Sequence, residues 1–118
     1  MIVGLGVDLV DVTRFVEKLA ATPALIERLF NPGEQGAKPE SLAGYWAAKE
    51  ALIKAIGNPT GLSFHDVTVY KDALGKPGLH VSGATAERAG QLGISSWHLS
   101  ISHDGQMAVA VVVAENSN

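Results

Sequence analysis

Hydrophobic and polar positions alternate at the start of the chain, and the alternation predicts a first strand over residues 2–10. Val3, Leu5, Val7 and Leu9 fall on one face, Gly4, Gly6 and Asp8 on the other. Apolar residues at this density read as a buried strand, and a lone carboxylate inside one is costly unless something pairs with it. The two glycines beside Asp8 leave its face open to another backbone, a helix or a ligand. The period then lengthens. Asp11 or Thr13 caps a helix over residues 12–20, with Phe15, Val16, Leu19 and Ala20 as its apolar side. Thr22-Pro23 predicts the cap and first turn of a short helix running to about Phe30. Residues 31–40, "NPGEQGAKPE", read as a loop.

The strongest helix is "SLAGYWAAKEALIKAI", residues 41–56, stopped by Gly57 and Pro59. Its core stripe is Leu42, Tyr45, Leu52, Ile53 and Ile56. Strand signals over 67–71 and 79–82 flank the turn residues Gly75, Pro77 and Gly78 and predict a hairpin. A third helix spans 83–93. Two strands, "SSWHLSIS" and "MAVAVVVAE", are split by a "HDGQ" turn, and residues from about 115 to 118 form a frayed tail. The pattern describes one α+β domain over residues 1–118, with a largely antiparallel sheet and a long central helix.

Composition narrows the function. A chain of 118 residues buries a real core without staples. It has no cysteine, so disulfides, thiolate nucleophiles and cysteine zinc sites are excluded, which suits a reducing cytoplasm. The net charge of -3 argues against broad nucleic-acid binding. No apolar run is long enough to span a bilayer, and no basic segment with a long apolar run opens the chain.

The candidate chemistry starts from Glu50 and Lys54, four apart on the long helix with Trp46 one turn earlier. Alone, they read as an ordinary surface ion pair worth a few tenths of a kcal/mol. Ala43, Ala47 and Ala51 flank that line with small side chains. Such a face can lie close to Gly4, Gly6 and Asp8, bringing Asp8 and Glu50 together. Two adjacent carboxylates repel unless protonated or bridged by a cation, and oxygen-only ligands suit Mg²⁺. Lys54 beside them would relieve charge and hold a phosphate. His103 shares the parity of Trp97, Leu99 and Ile101; alone, it reads as a half-exposed histidine bonded to a turn carbonyl. His65, His80 and His98 have no metal-ligand spacing with it. "GLGVDL" lacks the third glycine of a dinucleotide fingerprint.

Three signatures in this order, "GLGVDLVDVTR", "WAAKEALIKAIG" and "LSISHDGQMAVAVVV", resemble the holo-acyl-carrier-protein synthase family of small bacterial phosphopantetheinyl transferases. "LFNPGE" is similar to the family's aromatic-x-x-x-Glu element. The resemblance implies the 4'-phosphopantetheinyl transferase fold. It also implies transfer of 4'-phosphopantetheine from coenzyme A to a serine of an acyl carrier protein or carrier domain, in fatty acid biosynthesis. It makes Asp8 and Glu50 the ligands of Mg²⁺, Lys54 the contact of the attacked phosphate, and His103 a coenzyme-binding residue. Glu50 and Lys54 are the expected catalytic residues; the serine proton goes to a fixed carboxylate, with Glu50 near enough to take it directly or through water, or to a metal-bound water. Arg14 matches a position that meets the acidic recognition helix of the carrier, although alone it reads as a solvated charge. Family members of this length assemble as homotrimers with the site between subunits. One position departs from the pattern: Tyr45 stands where an arginine usually precedes the aromatic. The alternative reading is a carrier-binding module that has lost catalysis.

Overall fold

The computed structural model describes residues 1–57 and 60–117. Five strands and five helices follow one another as β1 (Ile2–Asp11), α1 (Val12–Ala21), α2 (Leu25–Leu29), α3 (Pro32–Gln35), α4 (Pro39–Ile56), β2 (Val67–Lys71), β3 (Pro77–Val81), α5 (Gly83–Gln91), β4 (Ser96–Asp104) and β5 (Met107–Glu115). The 3₁₀ turn Phe64–Asp66 leads into β2. The main sheet is antiparallel in the order β1-β5-β4, and β2 and β3 form a separate antiparallel hairpin.

Strand β1 forms where the alternation predicts it, and the long helix lies on its glycine face as expected. Gly6 is buried, with Gly4 and Asp8 half-buried. The strand is not buried on both faces, however: its apolar face is exposed on this chain, Leu5 by 65 % and Leu9 by 62 %. On the glycine face α4 lies backbone to backbone on the strand. A Cβ on Gly6 would run into the carbonyl oxygen of Ala51, and one on Gly4 into that of Ala55. Only a strand face without side chains admits a helix so closely. On β5 the inward positions are Ala108, Ala110, Val112 and Ala114, all buried. Across the sheet, Asp8 pairs with Ala110 and Ala110 with Ile101; the next row is Val10, Ala108 and His103.

Helix α4 is enclosed on most sides rather than along one stripe. Leu42, Leu52 and Ile56 are buried as expected, and Tyr45 and Ile53 are half-buried. Ala43, Ala47, Ala48, Ala51 and Lys49 are buried as well. The helix begins at Pro39, earlier than expected, because proline suits the first helical position. It ends at Gly57, whose φ of 95° closes the last turn through its N–H to the Ile53 carbonyl at 2.9 Å. Pro59, the other expected stop, lies outside the described residues.

Several local expectations are corrected. Asp11 is the cap of α1, its Oδ1 accepting the Arg14 N–H at 2.9 Å, and Phe15 and Leu19 are buried. Thr22 closes α1 instead of opening α2, because its N–H is taken by the Lys18 carbonyl at 2.9 Å. The expected loop over residues 31–40 holds the one-turn helix α3, organised by Glu34, whose Oε1 accepts the Asn31 N–H at 2.8 Å. Pro77 and Gly78 lie in β3, opposite Lys71 and Tyr70, so the turn is tighter than expected. Helix α5 stops two residues early, ahead of Gly93 at φ 79°. His103 and Asp104 stay in β4, leaving Gly105 and Gln106 as the turn. The tail does not fray from Glu115: Met1 and Asn116 exchange backbone hydrogen bonds at 2.8 and 2.9 Å, and the Ser117 N–H reaches Ser95 Oγ at 2.9 Å. Asn118 lies outside the described residues.

Candidate active site

The close approach of α4 to β1 brings Asp8, Glu50 and Lys54 together. Asp8 is the first residue after the glycines that carries a side chain on the inward face, so it emerges at the flank of α4. Lys54 Nζ donates to Asp8 Oδ1 at 3.0 Å and to the Val7 carbonyl at 3.1 Å. The cation of the expected surface pair therefore bridges helix to strand, rather than bonding Glu50 one turn earlier. Lys54 is 54 % exposed and Asp8 only 17 %, so the ammonium faces solvent while the carboxylate is largely sunk. A half-exposed lysine pays little to change partners.

Glu50 completes the cluster. Its carboxyl pKa is raised above the ordinary value, first by burial and then by the negative charge of Asp8, with Lys54 opposing both. A carboxyl held protonated longer by a neighbouring carboxylate marks a site short of positive charge. Asp8 and Glu50 line one cleft of about 270 Å³ with Asp11, Arg14, Lys18 and Trp46. Trp46 stacks on Phe15 at 6.4 Å and meets Phe64 edge-on at 4.7 Å, fixing the cleft's floor. Arg14 and Lys18, one turn apart on α1, supply its basic rim. All donors offered at the carboxylate end are oxygens, and their charge deficit fits a hard divalent cation such as Mg²⁺ completed by water and phosphate oxygens.

His103 is not part of this cluster on one chain. It sits on β4, two strands from β1, about 10 Å away across the sheet, with α4 between. Its Nε2 donates to the Glu40 carbonyl at 3.0 Å, in the first turn of α4 rather than a turn of its own hairpin. Gly44 makes room for the ring: a Cβ there would lie 3.0 Å from His103 Cε1. His103 lines a second cleft of about 150 Å³ with Ser41, Tyr45, Lys71 and Ile101. Tyr45, the departure from the expected arginine, faces that cleft and not the carboxylates.

Sequence reasoning missed a buried ion pair next door. Lys49 Nζ donates to Glu34 Oε1 at 2.8 Å, and both side chains are 0 % exposed. Lys49 also donates to the Phe64 carbonyl at 3.0 Å, and its ammonium lies 5.3 Å from the Phe30 ring centre. Glu34 Oε2 accepts the Val69 N–H at 2.8 Å. Burial pulls the Lys49 pKa down, with Glu34 pulling the other way. The signal was present as Phe30-x-x-x-Glu34 and Lys49-Glu50, but nothing in the sequence paired one with the other.

Comparison with known proteins bears on this site. The model of the 4'-phosphopantetheinyl transferase superfamily matches residues 4–112. A holo-[acyl-carrier-protein] synthase of Frankia casuarinae is 53 % identical over 97 % of this chain and 98 % of its own length. The holo-ACP-synthase of Plasmodium yoelii superposes with a TM-score of 0.88 at 30 % identity, covering 100 % of this chain and 98 % of that one. The holo-[acyl-carrier-protein] synthase of Helicobacter pylori, solved in complex with coenzyme A, gives 0.83 at 32 % identity over 94 % of this chain and 99 % of its own.

Proposed function

The chain belongs to the holo-[acyl-carrier-protein] synthases of the 4'-phosphopantetheinyl transferase superfamily, and on that premise we propose that the Asp8–Glu50–Lys54 cleft is its catalytic site. The enzyme transfers 4'-phosphopantetheine from coenzyme A to a serine of an acyl carrier protein and releases adenosine 3',5'-bisphosphate. The observation that carries the site assignment is the convergence of two carboxylates and a solvent-facing lysine where a glycine-faced strand meets a helix.

Asp8 and Glu50 would hold Mg²⁺, which when bound supplies the positive charge that stabilises electron density gathering on phosphate oxygens. Lys54, released from Asp8 once that carboxylate has another partner, donates to the phosphate being attacked. Glu50 takes the serine proton directly or through water. Arg14 on the rim faces the acidic carrier and aligns its serine with the cleft. His103 binds coenzyme A from the other flank of α4.

That separation supports a homotrimer. In this reading the exposed face of Val3, Leu5, Val7, Leu9 and Val111 is covered by neighbouring chains. The His103 cleft of one chain then completes the carboxylate cleft of another. We place the reaction in fatty acid biosynthesis in the cytoplasm; a cysteine-free chain needs no oxidising compartment.

Mass spectrometry of an apo carrier protein mixed with this chain, coenzyme A and Mg²⁺ tests the assignment. A carrier heavier by one phosphopantetheine with wild type, and unchanged mass with Glu50→Gln, is the expected result. Equal modification by both would remove the site from this cleft. A complex without mass gain would identify a binding module instead.

A further inference from the structure

The Lys49–Glu34 pair lies outside the cleft and touches none of its groups, yet Lys49 directly precedes Glu50 on α4. A buried ion pair is poor evidence of stabilisation, since apolar side chains of similar volume often serve as well. In this one every polar atom is hydrogen-bonded. Lys49 donates to Glu34 and to the Phe64 carbonyl, and Glu34 accepts from Lys49, Asn31 and Val69. Those contacts tie α4 at once to α3, the 3₁₀ turn and β2. On its opposite side α4 is held by Gly4 and Gly6 against the carbonyls of Ala55 and Ala51. The glycine contact fixes the distance of α4 from β1, but a smooth backbone contact resists rotation about the helix axis weakly. The directional bonds of Lys49 resist it strongly.

From this geometry we infer that Glu34 and Lys49 are positioning residues for the metal and phosphate site, setting the rotation of α4 that aims Glu50 and Lys54 at Asp8. The inference rests on the reading of that site given above. With side chains the helix is about 10–12 Å across, so a rotation of about 10° carries a glutamate carboxylate roughly 1 Å. A displacement of about 1 Å from productive geometry can cost about a hundredfold in rate. The pair is neutral as a whole, so a neutral replacement leaves the net charge beside the cleft unchanged and removes only the aim.

The double variant Glu34→Gln/Lys49→Met tests this, with direct Mn²⁺ binding to the protein alone, followed by electron paramagnetic resonance, as a readout independent of turnover. Thr85→Ala is the control: Thr85 Oγ1 bonds Asp66 Oδ2 at 2.9 Å at the start of α5, and lines none of the clefts described. The expected result is a double variant that melts near wild type, binds Mn²⁺ roughly tenfold to a hundredfold more weakly, and loses turnover at saturating metal by about tenfold or more. Thr85→Ala should melt lower while keeping both. Wild-type Mn²⁺ affinity and turnover in the double variant would overturn the inference. So would an equal loss in Thr85→Ala. If the double variant does not fold, Glu34→Asp keeps the countercharge of Lys49 but draws it back by one methylene, and should weaken Mn²⁺ binding severalfold; unchanged binding overturns the inference equally. Failure of wild type itself to bind Mn²⁺ would instead overturn the site reading, and is distinguished by appearing before any substitution.

Discussion

Helix α4 carries two lysines five residues apart, each bonded to a carboxylate from another element, and the two pairs behave as opposites. Lys49 and Glu34 are both 0 % exposed, and the ammonium and both carboxylate oxygens are hydrogen-bonded. Lys54 is 54 % exposed and bonded to a carboxylate that a cation could claim. The chemical partners are the same, and burial alone separates them. A sealed pair cannot exchange its partner without leaving a charge in the core. An open pair exchanges cheaply, which is what a phosphate-binding lysine needs. One pair holds the helix, and the other works at its edge.

Metal removal gives the largest expected effect and acts on the open side alone. A chelator should abolish turnover, and Mg²⁺ or Mn²⁺ should restore it. Full turnover in metal-free buffer would break the assignment of Asp8 and Glu50.

Next comes Lys49→Ala, which orphans Glu34 in the core. The expected loss of stability is about 3–5 kcal/mol, measured by denaturant unfolding. A loss below about 1 kcal/mol would mean that water reaches Glu34, and would erase the contrast between the pairs.

Lys54→Ala should reverse that profile. Turnover falls about a hundredfold, as for loss of one preorganised electrostatic group, while melting stays near wild type. Lys54→Arg should rescue poorly, since a planar fork does not replace a compact ammonium. Thermal melting and turnover on the same preparations decide it. A variant with normal melting and turnover would return Lys54 to the surface.

The smallest effect is a pH dependence. The metal-free folded chain holds the Glu50 proton more tightly than the unfolded chain does. As pH rises from the ordinary glutamate range through the raised folded value, the unfolded state binds fewer protons, so stability falls. Melting of metal-free wild type should therefore drop over that window relative to Glu50→Gln, which has no such proton. Saturating Mg²⁺ should remove the difference. Parallel melting curves for the two metal-free proteins would show that burial and Asp8 do not raise the Glu50 pKa.

Much of this protein is legible in its sequence because much of it is local. Gly57 stops α4 through a positive φ that glycine alone takes easily, and Asp11 caps α1 three residues before Arg14. Strand alternation placed β5 at its observed limits. Gly4, Gly6 and Asp8 on one parity announced a close neighbour, and the spacing of Glu50 and Lys54 announced a charged line along a helix. What sequence could not supply was the extent of burial. Apolar density reads β1 as buried throughout, yet only its glycine face is covered within this chain, by the backbone of α4, and the apolar face stays exposed. Lys54 was read with Glu50, its neighbour four residues away, but Asp8, far off in sequence, claimed its ammonium. The bond between Glu34 and Lys49 is likewise nonlocal, and residues 31–40 read as a loop because α3 is a single turn, closed by the Asn31–Glu34 cap and anchored from Lys49 and Val69. Local steric preference and periodicity determined the elements. Which carboxylate meets which ammonium was decided by how α4 settles between two backbones, a balance of distances that only the packed structure contains.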